Sequence, residues 1–90
     1  MNLKRIRKSI DRTDTRILKL INKRLKSAQK TSPHKQNIFD AEREKRVREH
    51  VKKQAKKFPS VREEFALDLF DLIISESRRT QKQKNRRRTS

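Results

Sequence analysis

The apolar residues of this chain recur at helical intervals in three segments, which its two prolines help to separate. From about Asn2 to Ser32, Leu3, Ile6, Ile10, Ile17, Leu20 and Ala28 fall on a seam spaced alternately three and four. Thr13 and Arg24 take the remaining places. This spacing predicts a long amphipathic helix, and Ile21 and Leu25 widen its stripe as expected of a helix with more than one neighbour. A helix of about 30 residues spans about 45 Å. That is more than a chain of 90 residues covers by itself, so the pattern asks for a partner chain. In the second segment Asp40 is placed to cap a helix whose first turn carries Glu42 and Glu44, and Val47, Val51, Ala55 and Phe58 share one face until Pro59. The third opens with Ser60-Val61-Arg62-Glu63, which fits a capping box, and continues through Phe65, Leu69, Phe70, Ile73 and Ile74 to about Gln83. The prediction is an all-α chain of three helices with no strand and no internal repeat.

Composition narrows the function. With 29% hydrophobic and 43% charged residues and no Trp, Tyr, Cys or Gly, one protomer has too little apolar material for a sizeable core, which argues against a lone globular enzyme. The lack of cysteine removes disulfides, thiolate metal sites and cysteine nucleophiles. The lack of glycine removes the phosphate-cradling loops of nucleotide-binding proteins. No apolar run is long enough to span a membrane and no apolar signal region opens the chain, so a soluble, cytoplasmic protein is expected. Against 11 Asp+Glu stand 28 Lys+Arg, a formal charge of +17. Such a charge suits an anionic partner: nucleic acid, an anionic membrane surface or a small polyanionic metabolite. Lys82, Lys84, Arg86, Arg87 and Arg88 crowd the end of the chain without an apolar side chain among them. The expected organisation is therefore a helical domain over residues 1–83 and a basic, disordered tail over 84–90, and the body stays basic without that tail.

The informative positions are polar groups placed where the apolar stripes should continue. Arg24 shares the seam of Ile10 and Ile17, and a guanidinium buried there requires an anion; at the fraying end of a helix it would instead snorkel to solvent. Lys35 lies eleven residues on, close to three helical turns, so the two cations would share a face if the helix continued through Pro33. In the third helix Ser77 and Gln81 extend the stripe of Ile73 with a hydroxyl and an amide, and Arg43 and Glu44 flank the Val47 face. A solvated helix end and a surface ion pair are the ordinary fates of such residues. Taken together, all three helices carry polar groups at the edge of their apolar stripes. Arg7, near the seam but about 25 Å of helix from Arg24, cannot meet it within one chain. In an antiparallel dimer, Arg7 of one chain would approach Arg24 of the other and form two equivalent sites.

The pattern resembles the all-helical, type II chorismate mutases of the AroQ class over about residues 3–83. The resemblance rests on Ile6-Arg7-Lys8-Ser9-Ile10-Asp11, on Asp14 with the run Ile17 to Arg24, on Lys35, on Asp40-Ala41-Glu42-Arg43-Glu44, and on Leu72 to Ser77 followed by Gln81. It implies an intertwined homodimer of three-helix chains with two shared active sites, an isomerase that converts chorismate to prephenate in aromatic amino acid biosynthesis, the shikimate pathway. An intramolecular Claisen rearrangement needs no nucleophile, and the resemblance implies no cofactor and no metal; His34 and His50 are expected to be solvated. By similarity Arg24, Arg43 and the partner's Arg7 would frame the substrate carboxylates, and Lys35 and Gln81 would donate to the ether oxygen. Glu44, with Asp40 near it, would hold the ring hydroxyl, and Ser77 would contact the ring carboxylate.

The chain departs from the family at Thr31-Ser32-Pro33-His34. A proline there removes an N–H and clashes with the carbonyl of Gln29, so the first helix is expected to kink or end before Lys35. Other readings remain open from sequence: isochorismate pyruvate lyase activity on the same scaffold, a degenerate inactive relative, and a basic helical protein that binds nucleic acid through phosphate contacts. The last lacks interleaved aromatic residues and any known groove-binding spacing, and leaves Asp40-x-x-Arg43-Glu44 unexplained. The basic tail would give at most nonspecific nucleic-acid binding beside the main function.

Overall fold

A computed structural model describes residues 2–31 and 40–89, with side chains described as far as Lys82. The described chain is helical, in the order α1 (Leu3–Lys30), α2 (Ala41–Ala55) and α3 (Glu63–Thr89), with no strand among the described residues. Asn2 caps α1, its Oδ1 accepting from the Lys4 N–H at 2.9 Å. Thr31 closes the other end, where its N–H and its Oγ1 both donate to the Ala28 carbonyl. That end lies before Pro33, as the proline predicts. Asp40 caps α2 as expected, its Oδ1 accepting from the Arg43 N–H at 3.0 Å, with Glu42 and Glu44 in the electropositive first turn.

Two sequence expectations are corrected beyond the end of α2. Phe58 does not lie on the helix face with Val47, Val51 and Ala55. The helix stops at Ala55, and Phe58 sits in the following turn with its ring largely exposed. Nor does Ser60 cap the third helix. The Val61 N–H closes a turn on the Phe58 carbonyl, and the first helical bond runs from Ala66 to the Arg62 carbonyl, which puts Glu63 at the start of α3 rather than one turn in. At its far end the α3 backbone stays helical through Thr89, past Gln83 and into the residues expected to be disordered. No proline or glycine interrupts that stretch.

The tertiary contacts show α3 as the middle element. Both α1 and α2 pack on it, and their backbones make no close approach to each other. Val51 and Ala55 of α2 meet Ala66 of α3 in a small core with Val47, Leu67 and Phe70 around it. On the other side, Ile21, Leu25 and Ala28, in the last third of α1, are partly covered. The first two-thirds of α1 are not. Leu3, Ile6, Ile10, Ile17 and Leu20 remain exposed, from 40% for Ile6 to 65% for Leu20. The molecule extends 55 × 28 × 15 Å, with a radius of gyration of 16.3 Å, against about 12 Å for a compact domain of this length.

Candidate functional site

Because α1 and α2 both pack on α3 while their backbones stay apart, a cleft opens between them with α3 as its floor. Its lining brings together most of the polar residues that break the apolar stripes: Arg24 from α1; Asp40, Arg43 and Glu44 from the start of α2; Ser77 and Gln81 from α3. The cleft encloses about 250 Å³. Arg7 is not in it: it stands exposed on the uncovered part of α1, about 25 Å of helix from Arg24. Lys35 and His34 lie outside the described residues. His50 is exposed, at the rim of a neighbouring, more apolar hollow of about 430 Å³ that shares Arg24 and Arg43 with the cleft.

Ser77 and Gln81 are buried, in contrast to the fraying end that the sequence allowed. The Ser77 Oγ donates to the Ile73 carbonyl at 2.8 Å and accepts from the Arg24 Nη1 at 3.0 Å. One hydroxyl thus fixes the position of a guanidinium from another helix. The Arg24 guanidinium also lies over the Phe70 ring, 5.8 Å from its centroid. Burial, and then the nearby charge of Arg43, lowers the pKa of Arg24 below the usual arginine value. Neither of the Arg24 contacts, a neutral hydroxyl and an aromatic ring, supplies the negative charge that its desolvation calls for. Two guanidiniums at one cleft make a receptor for an anion, most aptly a carboxylate that matches their fork geometry.

Gln81 ties α3 to the end of α1. Its Nε2 donates at 2.9 Å to both the Ala28 carbonyl and the Thr31 Oγ1, so both amide protons are engaged. Sequence reasoning missed Thr31 and Arg78. The Arg78 guanidinium grips the Glu44 carboxylate in a fork, with Nε donating to Oε2 at 2.7 Å and Nη2 to Oε1, and this contact raises the Arg78 pKa. The signal for Arg78 was faint but present: it adjoins Ser77 at the polar edge of the stripe, and its charge is opposite to that of Glu44.

The site therefore presents cations for an anionic ligand, one carboxylate held in place, and hydroxyl and amide groups on a buried floor. A family model described as chorismate mutase type II matches residues 6–82, which span all three helices. No curated protein and no solved structure matches the chain.

Proposed function

The chain belongs to the type II chorismate mutase family, a family of isomerases, and on that premise we propose that it converts chorismate to prephenate in this cleft. The observation that carries the reading is the pairing of half-buried Arg24 with Arg43 across the cleft, without a carboxylate on Arg24. Chorismate is a dianion that must fold into a compact conformer before its ether C–O bond breaks and a new C–C bond forms. Holding that conformer removes much of the entropic barrier. In this reading Arg24 and Arg43 bind the carboxylates, with the partner's Arg7 completing the frame, and Ser77 contacts the ring carboxylate. Glu44 accepts from the ring hydroxyl, with Asp40 beside it. Lys35 and Gln81 donate to the ether oxygen as negative charge develops there, and Gln81 gives up one of its present bonds to do so. No proton is transferred and no cofactor takes part.

The uncovered face of α1 supports the dimeric form of this proposal. Leu3, Ile6, Ile10, Ile17 and Leu20 on α1, and Phe65, Leu69 and Leu72 on α3, are exposed in the single chain, and large apolar side chains exposed in such a series mark an interaction surface. A second copy laid antiparallel along α1 covers it and carries Arg7 toward the other chain's cleft. None of the described helices is long and apolar enough to cross a membrane, and a cytoplasmic enzyme fits the pathway.

The test is the loss of chorismate ultraviolet absorbance with purified protein, with the product identified and Arg24→Ala run alongside. Prephenate formed by the parent and lost in the variant is the expected result. Turnover of isochorismate alone, or of neither compound, refutes the mutase assignment.

A further inference from the structure

The roles proposed above leave one charged residue of the cleft lining unused. Arg78 extends from α3, next to Ser77, and its fork on Glu44 spans the cleft from floor to wall. Both side chains are only partly exposed, 37% for Arg78 and 21% for Glu44. A second ion pair, Arg48 with Asp71, joins the same two helices but lies further out on the surface. Fixing α2 to α3 therefore does not account for the placement of Arg78 inside the cleft. Among the described residues, the charged groups that line the cleft with Glu44 are Arg24 from α1, Asp40 and Arg43 from the cap and first turn of α2, and Arg78 from α3. Of these, Arg78 makes a bidentate bond to it.

We propose that Arg78 is a positioning residue for the reaction: its fork holds the Glu44 carboxylate in one orientation, with lone pairs left to accept a hydrogen bond from the ring hydroxyl of the substrate. This rests on the mutase reading. Its physical basis is that a guanidinium engages both carboxylate oxygens from one side and leaves lone pairs on the other for a ligand. Without Arg78 the Glu44 side chain is free to turn, and its hydrogen bond to the ring hydroxyl loses its fixed direction.

The experiment compares kcat and KM for chorismate at pH 7.5 in the parent protein and in Arg78→Met, Arg78→Lys and Arg48→Met. Turnover by the parent is required first, and its absence refutes the mutase reading rather than the role of Arg78. Arg78→Met is expected to lower kcat by about tenfold with KM little changed. Arg78→Lys restores the charge without the fork, so its kcat should stay near that of Arg78→Met. Arg48→Met should leave kcat and KM as in the parent. In the Glu44→Gln background, replacing Arg78 by Met should cost almost nothing more, because the two residues act as a unit. An Arg78→Met variant with the kcat of the parent, or losses that simply add to those of Glu44→Gln, overturns the proposal. Should Arg78→Met not fold, Arg78→Lys against Arg48→Met still decides it: a Lys variant with the kcat of the parent contradicts the role assigned to the fork.

Discussion

Arg24 carries a conflict between stability and binding. Its pKa is lowered in the folded chain, so the fold disfavours the charged guanidinium. That cost is present throughout the range below arginine titration and fades only as pH rises toward that titration. Replacing Arg24 by Met keeps the length and removes the charge, and Ser77 keeps its bond to the Ile73 carbonyl. Arg24→Met should therefore lose at least 100-fold in kcat/KM while its thermal midpoint stays level or rises at every pH from 5 to 9. A midpoint several degrees lower would show that the Ser77 and Phe70 contacts outweigh the burial cost. Asp40 makes the opposite case, because its side chain already serves as a helix cap. Asp40→Ala should cost about 1 kcal/mol in denaturant unfolding, and Asp40→Asn, which keeps an acceptor, much less. Any activity loss in Asp40→Asn then reports the negative charge apart from the cap.

Among the elements, α1 and α2 were legible because a seam of period 3.5 and an Asp cap are local signals. Asn2, Thr31 and Asp40 close them close to where the sequence suggested. The start of α3 was misread, since Ser60-x-x-Glu63 has the form of a capping box and only the turn closed by the Val61 N–H on Phe58 shows that the chain is still reversing there. The cleft was legible as a set of residue types: Arg24, Asp40, Arg43, Glu44, Ser77 and Gln81 all line it. Its pairings were not, because which cation meets Glu44 depends on how α2 and α3 cross, and neither sequence segment encodes that alone. Gln81 joins these elements, and its two bonds to the end of α1 are worth about 1–2 kcal/mol together. Gln81→Ala should lower stability by about that amount in urea unfolding and should also remove most turnover. Full activity in that variant would exclude the amide from the chemistry.

At the scale of the whole molecule, the exposed row from Leu3 to Leu20 sets how the protein behaves in solution. Sedimentation should give a dimer, with a thermal midpoint that rises with protein concentration. Ile10→Glu, a charge in the middle of that row and far from the cleft of its own chain, should dissociate the dimer and abolish activity together. A monomeric parent, or an active Ile10→Glu monomer, would contradict shared sites. The charge of +17 adds mutual repulsion between copies, so moderate salt should favour association by screening it.

Among the described residues α1 and α2 rest on α3 while their backbones stay apart. On the proposed reading a ligand held by Arg24 on one side and Arg43 on the other would be the keystone of that frame, tying together two helices that otherwise share only a floor. Saturating chorismate should then slow amide exchange at the end of α1 and the start of α2 together, and exchange that slows at one helix alone would show that the ligand bridges nothing.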